Sequence, residues 1–379
     1  MLGSRGIPAH YSGVETCVEN LATRLVARGH DVTVYCRPHV VSWGEPTYKG
    51  VRLIKLPTVR NKFLDTFAHT ALCTLHMLLF ARPDVALYFI AGNSPFVLLA
   101  RLAGVPTALN VDGLDSQRAK WGPRARLYLR VAEWLSARAP RRTVTDSRVV
   151  QRLYMQRFGR SSTCIAYGAE LPPPTGNDYL TRFGLRPRDY ILLVGRLVPE
   201  NGIHVLLEAY ARVKTDKPLV IVGDAPYADA YVRSLHALAG PRVVFTGYLF
   251  GEGYHELVYN AYLFVMASEV GGTHPALIEA MAAGNCIIAN NHEPNMEALG
   301  DAGLSYDGRG AAPALAHVMQ SILDDPVAAD DLRARAVARA HALYSWEGVT
   351  DAYDRLLHDV ARPPHTRRAL PWRGEVGKP

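Results

Sequence analysis

The stretch SEVGGTHPALIEAMAAGNCIIAN, residues 268–290, decides how the rest of the chain is read. The pair Gly271-Gly272 and then Pro275 lead into the apolar, helix-forming run Ala276-Leu277-Ile278-Glu279-Ala280-Met281. Gly284 stops that run, and a short β-branched strand from Cys286 to Ala289 follows. A loop of this kind at a helix N-terminus offers unpaired backbone N–H groups and the positive dipole end to an anion. Glu279 falls in the first turn and a half, where its carboxylate can reach back toward whatever the loop holds. Loop, helix start and carboxylate together suit a nucleotide-sugar ligand.

On either side of this stretch, apolar β-rich runs alternate with helical periodicity, which argues for parallel α/β units. In the first half the pattern predicts strands at 31–36, 51–56, 85–90, 106–111 and 142–145, and helices at 14–28, 64–81, 94–102 and 125–139. The second series has strands at 190–194, 218–222, 243–246, 263–266 and 286–289, separated by helices at 202–214, 228–239, 254–260, 275–283 and 312–323. Between them Leu171-Pro172-Pro173-Pro174-Thr175-Gly176 breaks the pattern as a linker does. The expected division is therefore 1–170, a Pro-rich linker at 171–177, 178–345, a last helix at 346–362 returning to the first domain, and a disordered basic tail at 363–379. Two doubly wound domains of this kind hold a ligand in the cleft at the carboxyl ends of their strands. The turn from Gly3 to Gly6 has almost no strand before it, and the expectation is a first strand that is truncated here and begins upstream of Met1.

Composition narrows the classes. A charged content of 20% with 49% apolar residues is that of a globular protein, and the net charge of +7 favours anionic partners. Five widely spaced cysteines with no C-x-x-C pair speak against a disulfide framework or structural zinc, and favour a reducing cytosol. The apolar stretch 63–80 is cut by Asp65, His69 and His76, so it reads as a buried or interfacial helix and not a membrane span.

Four blocks together resemble a known family: GSRGIPAHYSGVET near the start, DGLDSQRAKWG at 112–122, VGRLVPENGIHVLLEAY at 194–210 and VGGTHPALIEAMAAG at 270–284. They are similar to family-4 glycosyltransferases of the GT-B fold, most of all to the bacterial rhamnosyltransferase-like subgroup that builds surface polysaccharide. The resemblance implies an α/β architecture of two Rossmann-like domains facing a central cleft. It also implies transfer of a hexose, rhamnose among the candidates, from a nucleotide diphosphate donor to a lipid-linked or growing glycan, with retention.

The residues fit that chemistry in part. Arg196 follows a strand and can hold a diphosphate bidentately. The family's partner lysine is replaced by Asn201, so neutralisation falls on Arg196 and loop N–H groups. Glu279 is the position that in the family binds the ribose hydroxyls. The first glutamate of that motif falls on Gly271, leaving Glu269 two residues upstream and the backbone of Gly272, Thr273 and His274 to hold the donor sugar. Ser12 and Gly13, directly before the first helix, would approach the diphosphate, and Glu15 would complement that helix's dipole. Asp112 stands where many members carry histidine; its carboxylate either accepts from a sugar or acceptor hydroxyl or caps the following turn. Tyr248 borders the base or belongs to the core.

Basic residues are dense from Arg118 to Arg142, with Trp121, Tyr128 and Trp134 among them. Arg118, Lys120, Trp121 and Arg124 mark an expected acceptor or membrane patch, either a solvated helix face or a surface for anionic headgroups. No nucleic-acid motif accompanies the charge. With no D-x-D sequence and no His/carboxylate spacing typical of a ligand set, no cofactor or metal is expected, and the location would be cytoplasmic, on the inner face of the membrane. The alternatives are a nucleotide-sugar epimerase of the same architecture and a non-catalytic nucleotide-sugar-binding scaffold.

Overall fold

The structure is a computed structural model that describes residues 1–9, 13–59, 61, 64–113, 116, 122–225, 229–308 and 311–362. Its first half runs α1 (Gly13–Ala27), β1 (Thr33–Cys36), β2 (Thr47–Tyr48), β3 (Val51–Lys55) and α2 (Asp65–His76), which continues as a π-helical turn at Met77–Ala81. Then come β4 (Ala86–Phe89), α3 (Ser94–Leu102), β5 (Thr107–Val111), α4 (Pro123–Ser136), β6 (Arg142–Thr145), α5 (Arg148–Phe158) and β7 (Thr163–Cys164). The strands form two groups, β1-β3-β2 and β4-β5-β6-β7. Met1 and Leu2 fill the slot between them. The Met1 ammonium donates to the Thr33 carbonyl at 2.7 Å, and Leu2 exchanges bonds with Leu87 and Phe89 at 2.9 and 3.0 Å. Gly3 leaves this rung at φ +96°, where any Cβ would strike the Phe89 carbonyl.

The second half holds α6 (Asp178–Phe183), β8 (Ile191–Val194), α7 (Ile203–Tyr210), β9 (Leu219–Val222), α8 (Asp229–Leu238), β10 (Val243–Gly247), α9 (Glu252–Tyr259), β11 (Leu263–Met266), α10 (Pro275–Ala282) and β12 (Cys286–Asn290). It ends with α11 (Glu293–Leu299), β13 (Leu304–Tyr306), α12 (Ala311–Leu323), α13 (Pro326–Leu343) and α14 (Trp346–Ala361). One parallel sheet, ordered β10-β9-β8-β11-β12-β13, has helices on both faces. Its central strands are buried throughout, which is why they read as unbroken apolar runs. The chain reverses direction across the sheet between β8 and β11, the switch point at whose carboxyl ends doubly wound sheets form a crevice.

The chain passes between the halves twice. Residues 165–177 run without regular structure, and the Ala169 N–H donates to the Tyr344 carbonyl at 2.6 Å. Gly168 lies flat under the Trp346 ring, which leaves no room for a side chain. From there α14 lies on the first domain: Asn110 donates to the Tyr353 hydroxyl at 2.7 Å and Arg141 to the Val360 carbonyl at 2.9 Å. Arg28 adds ion pairs to Glu347 and Asp351 at 2.8 and 2.7 Å. The expected tail at 363–379 lies outside the described residues.

The predicted strands and helices all form, within a few residues of their expected ends. The sequence pattern missed β2, β7 and β13, each of two or three residues, along with α5, α6, α11 and α13. Among the described residues, no helix is long and apolar enough to cross a membrane.

Candidate active site in the interdomain cleft

The loop after β8 and the loop after β11 meet at the crevice. The first carries Arg196 and ends in a 3-10 turn at Pro199–Asn201. Asn201 turns its amide inward, donating to the Arg196 carbonyl at 2.8 Å and accepting from the Ser268 hydroxyl at 3.3 Å. It therefore holds the two loops together and does not stand in for a cation. The Glu269 N–H donates to the Glu200 carbonyl at 3.1 Å, while the Glu269 side chain is exposed. Among the described residues the half-buried Arg196 guanidinium has neither a hydrogen-bond nor an ion-pair partner. An unpaired guanidinium at the carboxyl end of a central strand is poised for an anion.

Facing these loops are the carboxyl ends of the first domain's strands. The register pairs Val111 with Thr145, so the next residues, Asp112 and Asp146, stand side by side. Asp146 is buried, and its carboxylate accepts the Thr273 N–H at 3.0 Å, while the Thr273 hydroxyl donates to the Asp146 carbonyl at 2.9 Å. Gly272 lies flat against the same carboxylate, in a space that no side chain could share. Burial, and then the charge of Asp112, push the Asp146 carboxyl well above its ordinary range. Its Oδ1 is buried with no hydrogen-bond partner. Sequence reasoning missed Asp146 altogether, and assigned the Thr273 N–H to a ligand where Asp146 now takes it. Only its place at the end of a predicted strand signalled it.

Two helix starts also converge. Gly13, first residue of α1, lies against the Pro275 ring at the start of α10, again leaving no room for a Cβ. Glu15 does more than match the dipole of α1: its carboxylate accepts the Arg5 N–H at 2.8 Å and closes the loop that leads into the helix. Ser12 lies outside the described residues, as do Arg118, Lys120 and Trp121. Arg124 is described, exposed in the first turn of α4. Lower in the seam, Glu297 of α11 caps α5, accepting from the Arg148 and Val149 N–H groups at 2.7 and 2.9 Å.

Glu279, in α10, is 8% exposed and accepts from the Tyr254 hydroxyl. Burial raises its carboxyl to about 7, although the Tyr254 bond opposes the shift. His274 is the residue preceding α10, with its ring beside Gly271. Tyr248 follows β10 and stacks on Phe250 with ring centroids 5.8 Å apart.

The sequence showed no histidine–carboxylate spacing for a metal, yet the fold brings one such set together among the described residues. His30 and His358 each approach Asp354 at 2.9 Å. This set joins α14 to the loop before β1 and contains no residue of the crevice.

Comparison with known proteins follows the same division. Residues 12–168 match the glycosyl transferase 4-like domain, and residues 188–325 match the glycosyl transferases group 1 family. A glycogen synthase of Mycobacterium tuberculosis is 27% identical over 383 residues, covering 91% of this chain and 90% of the relative. The GDP-mannose-dependent alpha-(1-6)-phosphatidylinositol monomannoside mannosyltransferase of Mycolicibacterium smegmatis is 26% identical, with 92% and 94% covered. In fold, the Anabaena protein Alr3699/HepE, solved with UDP and glucose, superposes with a TM-score of 0.76 at 18% identity, over 93% of this chain and 98% of that one. With both family domains present in order and the two-domain cleft between them, the chain belongs to the glycosyltransferases of the GT-B fold.

Proposed function

We propose that the protein transfers a sugar from a nucleotide diphosphate donor to a hydroxyl group of a lipid-linked or growing glycan. The observation that carries this reading is the unpaired Arg196 guanidinium at the β8–β11 switch point, beside the loop that enters α10. As the bond from the anomeric carbon to the donor phosphate breaks, negative charge develops on the leaving diphosphate. In this reading Arg196 stabilises that charge together with backbone N–H groups of the loop that enters α10, with no divalent ion taking part. Glu279 holds the ribose hydroxyls, and Tyr248 borders the base. The acceptor oxygen bonds the anomeric carbon on the face the phosphate leaves, its proton passes to the departing phosphate oxygen, and configuration is retained. Asp112 receives a donor or acceptor hydroxyl, and Glu269 closes the sugar side of the site.

The names of similar proteins support the reading: one relative is named as a GDP-mannose-dependent mannosyltransferase of a phosphatidylinositol monomannoside, and Alr3699/HepE, similar in fold, was solved with UDP and glucose. A hexose donor, rhamnose among the candidates, and contact with the inner membrane face are part of the same reading. The test is release of nucleoside diphosphate from a panel of nucleotide sugars, with and without lipid-linked glycans and with a chelator present. Acceptor-dependent release that survives chelation supports the proposal. Conversion of the sugar nucleotide without an acceptor would instead identify an epimerase, and binding without turnover a scaffold.

A further inference from the structure

The outer surface of the first domain departs from what a solvated surface looks like. From 66 to 81 the sequence contains no Asp, Glu, Lys or Arg, although this segment forms α2 and its π-helical turn on the outside of the domain. Its inner face is satisfied by burial of Thr70, Cys73, Thr74 and Met77. The outer face is apolar too: Phe67, Leu72, Leu75, Leu79 and Phe80 are exposed, the last two at 62% and 76%. Two neighbouring helices extend this surface. Phe67 meets the Phe96 ring of α3 at 4.8 Å and the Tyr128 ring of α4 at 5.9 Å. On α3, Leu99 and Leu102 are exposed, and on α4, Leu127, Val131 and Trp134. Three adjacent helices that expose large apolar side chains form a surface that calls for a partner.

Charge identifies the partner. Between 94 and 142 the chain has nine Arg or Lys residues and three acids. Of those acids, Glu133 is fully buried and Asp112 belongs to the crevice. Arg138 lies over the Trp134 ring at 4.4 Å, where the apolar face passes into a groove of about 1090 Å³. Five arginines line that groove: Arg101, Arg138, Arg141, Arg142 and Arg160. Arg101, Arg138 and Arg141 donate to backbone carbonyls, so their charge is not cancelled, and among the described residues only Arg142 of the five meets a carboxylate, that of Asp359. A second copy docking on this face about a two-fold axis would set arginine against arginine, which disfavours self-association. Apolar side chains bordered by uncompensated arginines match a bilayer with anionic headgroups, tails meeting the apolar face and phosphates the groove.

We infer that the α2–α3–α4 face, with its arginine groove, docks the protein side-on to an anionic phospholipid surface. The inference deepens the reading above, because a lipid-linked acceptor is presented at such a surface. The experiment is co-sedimentation of the full chain with vesicles of phosphatidylcholine alone or with about a third phosphatidylglycerol, at rising salt. Binding only to the anionic vesicles, weakening with salt, is expected. The double variant Leu79→Glu/Phe80→Glu should lower vesicle affinity about tenfold or more, and Arg130→Glu/Arg160→Glu, which reverses one exposed charge on α4 and one in the groove, should reduce the salt dependence. Unaltered melting temperatures would show that these exposed substitutions leave the fold intact. Failure of the wild type to bind, equal binding by both double variants, or a dimer that Leu79→Glu dissolves would each overturn the inference. Nucleoside diphosphate affinity, measured on the same samples, separates the two readings. Vesicle binding without nucleotide binding sinks the proposed function alone, and the reverse sinks the docking surface alone.

Discussion

The Asp146 carboxylate of the first domain accepts the Thr273 N–H of the second at 3.0 Å, and the Thr273 hydroxyl returns a bond to the Asp146 carbonyl at 2.9 Å. This reciprocal pair ties the end of β6 to the loop that enters α10. Replacing Asp146 by Ala leaves the Thr273 N–H buried without an acceptor, at a cost of about 1–3 kcal/mol. A fall in the thermal midpoint checks it, and Asp146→Asn, which keeps an acceptor oxygen, should fall less.

The same pair has a pH signature. Burial and Asp112 raise the Asp146 carboxyl, so the folded chain holds this proton at pH values where the unfolded chain has lost it. The stabilisation that follows is present at acid pH and is lost as pH rises through the folded value. Denaturant titrations at several pH values should show Asp146→Asn gaining on the wild type as pH increases. Parallel profiles for the two proteins would contradict the assignment.

At Gly272 and Gly13 the domains touch with no room for a side chain. Gly272→Ala forces its methyl group against the Asp146 carboxylate and should hold the cleft open. Small-angle scattering would then give a larger radius of gyration, and nucleoside diphosphate affinity would drop about tenfold if both domains frame the site. An unchanged radius would show that the loop yields instead.

Glu279, raised to about 7 by burial, is largely protonated in mild acid and ionised in mild base. As the ribose acceptor it should bind nucleotide more tightly as pH rises from about 6 to about 8, because only the carboxylate accepts from both hydroxyls. Glu279→Gln should flatten that profile. Tyr254→Phe removes the bond that favours the charged form, so it should move the rise to higher pH. Isothermal titration across that range decides the matter.

How much of this was legible follows from what each residue's signal depends on. The strands β8, β9, β11 and β12 are buried on both faces and show as apolar runs, and the loop before Glu279 shows through its glycines and proline. Strands of two or three residues, such as β7 and β13, are too short to show a period. The helix α5 was detectable: the Ser147 hydroxyl accepts the Val150 N–H, and Gly159 ends it in the left-handed region. By contrast α13 is rich in Ala and Arg, and its buried stripe is mostly alanine, which carries little hydrophobic contrast. Asp146 finds Thr273 across 127 residues, and His30 finds Asp354 across 324, so neither partnership leaves a local trace. The apolar stretch ending at Phe80 was read as buried or interfacial; only the fold separates its buried side from its exposed one.

The most direct test of the central claim is the affinity of Arg196→Ala for nucleoside diphosphate, measured by calorimetry alongside the wild type. Loss of a charge-assisted hydrogen bond should weaken binding by about 1.5–3 kcal/mol, roughly tenfold to a hundredfold, with the melting temperature unaltered. Equal affinity in the two proteins would contradict the assignment of the β8–β11 crevice as the donor site.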